Sequence, residues 1–193
     1  MIKKQLIKQV IGIVLIGVGL GIILTSILLN IKQYSSKKEL IQEFRNNIQV
    51  VQQDEPDSGN PAVEGDVLYI VRIPKIDSEN PVREGVSKGV LADSLGHEPS
   101  TSYIGQGGNC VIAGHRNYTF GKFFNRLDEV EIGDEILVDT KTETLTYEVK
   151  EIKVVEPTEL SILDNTDKEQ LTLYTCTPIY VATHRLVIIA EPK

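Results

Sequence analysis

Residues 171–190 read LTLYTCTPIYVATHRLVIIA. The two ends of this stretch, 171–175 and 185–190, are short runs rich in β-branched and aromatic residues, and a Thr-Pro turn lies between them. Such runs bounded by turn residues predict strands. The same signature recurs upstream in residues 67–73 (VLYIVRI), 110–113 (CVIA), 135–139 (EILVD) and 145–155 (LTYEVKEIKVV). Pro74, Pro81 and Gly85 break the region after the first run, and residues 120–130 and 159–163 suit short helices. There is no internal repeat and no alternation of strand with long helix. Many strands with few helices predict a mostly β fold, a barrel or a sandwich.

A different pattern occupies the N-terminal end. Residues 10–29, VIGIVLIGVGLGIILTSILL, carry no charge over twenty positions. About 20 apolar residues in a helix span a bilayer core of roughly 30 Å. A cleaved signal peptide has a shorter apolar core and a small-x-small site after it. Here Leu28, Leu29, Asn30, Ile31 and Lys32 close the segment, so an uncleaved transmembrane anchor is expected. Lys3, Lys4 and Lys8 precede it and Lys32, Lys37 and Lys38 follow, a near tie by the positive-inside rule. Gly17 and Gly21 have helix-packing spacing.

Beyond the span, Ser36 and Glu39 have the spacing of a capping box, and Leu40, Ile41, Phe44, Ile48 and Val51 recur at helical intervals. A short amphipathic juxtamembrane helix is expected there, its apolar face on the domain or the membrane surface. Residues 52–65, QQDEPDSGNPAVEG, read as a linker. The expected organisation is a tail over 1–9, a transmembrane helix over 10–29, a juxtamembrane helix and linker over 30–65, and one folded domain over 66–193.

Composition removes several function classes. Hydrophobic residues make up 41% and charged residues 24%, which excludes a disordered chain. The formal net charge of −7 argues against a nucleic-acid-binding domain, which carries a basic stripe. Two cysteines cannot build a disulfide-dense scaffold. With no Trp and a single Met, the core must come from Ile, Leu, Val and a few Tyr and Phe. No phosphate-binding loop, dinucleotide fingerprint or GxSxG elbow is present.

The residues able to carry chemistry sit beside the strands. Cys176 ends one run and precedes the Thr-Pro turn, where a thiol can be exposed on a fixed backbone; a buried structural cysteine is the alternative. His115, in NCVIAGHRNYTFG, follows another run, and an imidazole beside a thiol can take or share its proton. Taken singly, it is equally a surface or core histidine. Arg185 opens the last run, where a guanidinium could hold a developing oxyanion or form a surface ion pair. Arg116 reads as a solvated cation, and His97, in LGHEPST, has no evident partner. Cys110 is expected in the core; half of a zinc site with His115, or a disulfide with Cys176, are the other readings. Asn117-Tyr118-Thr119 fits a glycosylation sequon, and Asp128, Glu129, Glu131, Asp134 and Glu135 suit a solvated acidic face better than a calcium loop.

Three ordered segments resemble one family. TLYTCTPIYVATHRLVIIAE resembles the active-site signature of the sortases, in which T-L-x-T-C precedes a loop and an arginine-led strand. VIAGHRNYTFGKFFNRLDEVEIGDEI is similar to their histidine segment, and VRIPKIDSENPVREGV to their first strands. The match runs in colinear order over about residues 67–191, and the anchor fits it. The resemblance implies a closed eight-stranded β-barrel with short helices, with Cys176 as nucleophile, His115 as its acid/base partner and Arg185 as the oxyanion or substrate-orienting residue. It implies cleavage of an LPxTG-like sorting signal on surface proteins between Thr and Gly, and transfer to an amine from a cell-wall precursor or a pilin lysine, without metal or organic cofactor. It also implies an N-terminus inside and a catalytic domain outside a Gram-positive membrane. His184 matches the T-H-R-L variant of pilin-type sortases, where the histidine before the arginine is not the catalytic one. The Asp-Pro-aromatic lid usual in that group is missing: the linker holds Glu55-Pro56-Asp57 without such an aromatic. The lidless class D is therefore favoured, with a pilin polymerase as the alternative.

Overall fold

The computed structural model describes residues 2–51, 62–116 and 123–193. These divide into two compact units, Met1–Lys38 and Glu39–Lys193. A continuous helix α1 runs over Ile2–Val51. The capping box at Ser36 therefore starts no helix: the apolar span and the amphipathic segment join in one element, because nothing between Asn30 and Glu39 breaks helical geometry. Among the described residues, one helix is long and apolar enough to cross a membrane: α1, through its part over residues 8–46. Within the second unit, Ile41 and Phe44 are buried against Ile70, so this stretch packs its apolar face on the domain. Most of the expected linker, residues 52–61, lies outside the described residues, as does the sequon at Asn117.

The second unit is a β-barrel of eight strands: β1 Val67–Ile73, β2 Ser78–Glu84, β3 Leu95–His97, β4 Asn109–Ala113, β5 Glu135–Asp139, β6 Thr144–Val155, β7 Gln170–Thr177 and β8 His184–Pro192. Their order around the closed sheet is β1-β2-β3-β4-β7-β8-β6-β5. Closure gives every strand a neighbour on each side. The β2–β3 and β4–β7 pairs are parallel and the others antiparallel. The alternation of side chains along each strand sorts the residues. Val71 and Ile73, Cys110 and Ile112, Leu171 and Leu173, and Leu186 and Ile188 point into one shared core. Each such Val, Leu or Ile side chain removed from water contributes about 1.5–3 kcal/mol.

Strand β2 falls where Pro74, Pro81 and Gly85 predicted a break, and the short β3 lies beyond them outside the predicted strands. Pro81 is tolerated because β3 begins only opposite Val82, so Pro81 meets a neighbouring strand on one side alone. His97, without an evident partner in the sequence, is fully buried at the end of β3. Its Nδ1 lies 2.9 Å from Glu84 Oε2 and its Nε2 3.0 Å from the Ser102 carbonyl, while its ring stacks on Tyr103. These contacts pin β3 to β2 and to the following loop, a structural role.

Candidate active site

The site is assembled from the ends of three strands that are consecutive in the sheet, β4, β7 and β8. Because Leu171, Leu173 and Thr175 face inward along β7, Tyr174 and Cys176 take the outer face. The barrel thus holds the Cys176 backbone while leaving its side chain half-exposed. On one flank, β8 pairs antiparallel with β7 and sets Arg185 directly opposite Cys176. Directly opposite residues share a face and have Cβ atoms about 4.5–5.5 Å apart, so the two side chains leave the sheet side by side. Arg185 Nη1 donates to the His184 carbonyl at 3.1 Å.

On the other flank, β4 runs parallel to β7, and Ala113 lies level with Tyr174. Two residues further along each strand come His115 and Cys176, so continuing this register brings them level. Three hydrogen bonds hold the extension in place. Gly114 N donates to the Tyr174 carbonyl at 3.1 Å, Thr175 Oγ1 donates to the Gly114 carbonyl at 2.7 Å, and Phe124 N donates to the His115 carbonyl at 3.3 Å. Gly114 is required there by close approach: a Cβ would stand 2.3 Å from a ring carbon of Phe124. His115 itself is exposed.

The neighbouring histidine takes another direction. His184 pairs with Thr177, one step past Cys176, and its Nε2 lies 3.1 Å from Glu156 Oε1 at the start of the β6–β7 connection. That connection is also held at the base of β4, where Asn109 Nδ2 donates to the carbonyls of Ile162 and Asp164, both at 3.0 Å. Two steps below Cys176 on the same face, the Tyr174 hydroxyl donates to Glu98 Oε1 at 2.5 Å. Burial, reinforced by this bond, pushes the Tyr174 hydroxyl pKa well above the ordinary tyrosine range, so it serves as a neutral donor.

The remaining readings resolve in space. Both cysteines are free. Cys110 points into the core and lies level with Leu171, five positions along β7 from Cys176. At about 3.3 Å per residue that separation is far beyond disulfide reach. The same inward orientation separates Cys110 from the exposed His115, which removes the half zinc site. Among the described residues no group of three or more His, Cys, Asp or Glu is placed to hold a metal ion. Burial pushes the Cys110 thiol strongly up, away from thiolate formation. Iodoacetamide should therefore label one cysteine in the folded protein, Cys176, and a second only after denaturation, as read by intact mass. Arg116, expected to be solvated, has a side chain only 7% exposed, and its guanidinium bonds Thr177 and Asp128. The sequence carries no signal for this: an arginine in a polar loop looks the same buried or free.

A half-exposed thiol flanked by a histidine just past the end of β4 and by an arginine on β8, outside a closed barrel, is an arrangement able to carry thiol-dependent acyl transfer. The sortase domain model matches residues 71–193. The chain belongs to the sortase family. It is 34% identical over 115 residues to sortase D of Bacillus subtilis strain 168, covering 59% of this chain and 56% of that protein. To sortase SrtE1 of Streptomyces coelicolor it is 31% identical over 140 residues, 64% of this chain and 40% of that one. The chain thus spans about half the length of these curated relatives. Among solved structures it resembles a sortase D5 transpeptidase of Clostridium perfringens, with a TM-score of 0.75, 29% identity and coverage of 82% of this chain and 99% of the other. It also resembles a pilus-related sortase C of Group B Streptococcus, with a TM-score of 0.63, 28% identity and coverage of 81% and 90%.

Proposed function

We propose that this chain is a membrane-anchored cysteine transpeptidase that cleaves an LPxTG-like sorting signal between Thr and Gly and passes the acyl group to an amine of the cell wall. The observation that carries this reading is the strand order at the site. With β4, β7 and β8 consecutive, one peptide carbonyl can meet a thiol, an imidazole and a guanidinium together.

In this reading the Cys176 thiolate attacks the threonine carbonyl carbon, and Arg185 donates to the oxygen as negative charge grows there. The C–N bond to glycine then breaks, His115 as imidazolium protonates the departing amine, and a thioester remains on Cys176. An incoming amine attacks the thioester and gives its proton to His115, and Cys176 leaves as thiolate. His184 takes no part, engaged as it is with Glu156. The chemistry needs no metal or organic cofactor. The apolar helix serves as a single-pass anchor, with the N-terminus in the cytoplasm and the barrel outside a Gram-positive membrane. Nucleic acid has no place in the reaction.

Class D is the subclass favoured. The likeness to sortase D proteins supports it, as does the lack of an Asp-Pro-aromatic sequence ahead of the barrel. The THRL sequence and the likeness to a pilus-related sortase C support the second reading, a polymerase joining subunits through a lysine amine. The test is a peptide panel varied at the third motif position, incubated with the enzyme and either a cell-wall stem-peptide amine or a pilin lysine peptide. Amide product with the stem peptide is expected. Amide only with the lysine peptide would move the assignment to the polymerase. Hydrolysis alone with both amines would make the chain a protease. No cleavage of any peptide, with Cys176 unlabelled by a thioester-forming probe, would leave a non-catalytic anchored binding domain.

A further inference from the structure

Arg116 stands next to His115 in sequence, and Thr177 stands next to Cys176. The two neighbours are joined to each other. Arg116 Nη1 donates to Thr177 Oγ1 at 2.8 Å, and Arg116 Nη2 lies 2.7 Å from Asp128 Oδ2 in the 3₁₀ turn Leu127–Glu129. Thr177 is the last residue of β7, and β4 has already ended at Ala113. The ladder between the two strands therefore gives out just where the two reactive side chains stand. Backbone hydrogen bonds fix a parallel pair only as far as they run. The bonds from Gly114 N to the Tyr174 carbonyl and from Thr175 Oγ1 to the Gly114 carbonyl carry the pairing one residue further, and past Gly114 a side chain joins the two segments.

The guanidinium has the properties such a tie requires. Its side chain is only 7% exposed, so the guanidinium itself is shielded from water, while its partner Asp128 is half-exposed. It is planar, and two of its nitrogens reach different partners at fixed angles, which a single ammonium cannot reproduce. Asp128 holds one end and so fixes the direction in which the other points. A buried arginine held only for charge balance would need Asp128 alone. The second bond, to a hydroxyl beside the nucleophile, adds little to charge balance and is what ties the two loops.

We propose that Arg116 is a positioning residue of the sortase reaction: a strut anchored on Asp128 that sets the spacing between His115 and Cys176 through Thr177. This rests on the reading of Cys176 and His115 as the reacting pair. The strut touches neither substrate nor the reacting atoms. It acts on the proton-transfer steps, in which imidazole and sulfur must share one substrate, and has little to do with holding the peptide.

The test separates this role from fold maintenance by cutting the tie at its lighter end. Thr177→Val removes the hydroxyl acceptor and leaves the Arg116–Asp128 pair intact. The expected result is a fall in kcat of about 10–100-fold, the scale of a misplacement near 1 Å. KM for the sorting peptide and the thermal midpoint should stay close to wild type, and Thr177→Ser should restore kcat. Arg116→Lys, which keeps a charge for Asp128, should lose kcat to a similar extent. Its effect should vanish in the Thr177→Val background, since both changes break one contact. His115→Ala and Cys176→Ala are assayed in parallel. If both are inactive while Thr177→Val turns over at the wild-type rate, the strut is refuted and the site reading stands. If either retains wild-type activity, the site reading fails and the strut falls with it. A Thr177→Val protein that loses kcat only in proportion to lost folded fraction overturns the positioning role as well.

Discussion

Cys176→Ala should leave the protein folded and without transpeptidation, a loss of about 10⁴-fold or more, while Cys110→Ala should retain most activity. The magnitude follows from what the thiol does in covalent catalysis. Without it there is no thioester, so both half-reactions lose their intermediate together. The folded state should be nearly indifferent, because Cys176 stands half-exposed on the outer face of β7 and fills no core space. Cys110 is the opposite case, 1% exposed and packed with Ile112 and Leu171 inside the barrel. Its truncation should cost about 1 kcal/mol of stability. Steady-state kinetics and a denaturant midpoint on the two variants give the four outcomes needed. Mass spectrometry of the quenched reaction should show an acyl adduct on wild type and Cys110→Ala only. A folded but inactive Cys110→Ala would contradict the assignment of the nucleophile.

How far the sequence could be read depended on where each residue's environment comes from. Strands β1, β4, β5, β6, β7 and β8 are written in their own β-branched runs, and local pattern was enough to find them. β2 is not so written. Its sequence, SENPVRE, is polar and carries a proline, yet Ser78, Asn80 and Glu84 are buried. Its strand conformation is imposed by β1 along most of its length and by β3 beside residues 82–84, which no local window contains. The same reason hid the partner of His97, since Glu84 lies thirteen residues away and meets it only through the β2–β3 pairing. At the site, Cys176, His115 and Arg185 were singled out by residue type, by strand-end position and above all by the family resemblance. The tie from Arg116 to Thr177 spans 61 residues and depends on the parallel β4–β7 pair, so spacing along the chain gives no hint of it. The continuity of α1 past Ser36 has a local reason. A capping box is a real preference, but a run without glycine or proline carries a helix through it.

Arg185→Ala should lower kcat/KM by about 10²–10³-fold, and Arg185→Lys should do nearly as much damage. The first figure is the usual effect of removing one oxyanion donor, roughly 2.7–4 kcal/mol. The second follows from geometry. Lysine keeps the positive charge but replaces a planar fork with a flexible point charge. Arg185 sits on β8 between Cys176 of β7 and Val155 of β6, so its backbone is fixed by pairing on both sides. A fork on a fixed backbone meets the carbonyl oxygen at a set angle, whereas an ammonium on the same Cα must be ordered anew in each transition state. Folding should be unaffected, because the guanidinium bonds only the carbonyl of its own neighbour, His184, among the described residues. His184→Ala provides the control one residue away. Strand alternation turns that side chain from the face shared by Arg185 and Cys176, and its ring is engaged with Glu156. Loss of this exposed contact should cost about 0–1 kcal/mol of stability and leave kcat/KM within a few-fold of wild type. The decisive comparison is the ratio of the two alanine variants measured on one peptide at one pH. A ratio near one would strip Arg185 of a special role. An inactive His184→Ala beside a nearly normal Arg185→Ala would reverse the assignment. The pair with Cys176 would then pass from His115 to His184, and the register at the start of β8 would have to differ by one residue.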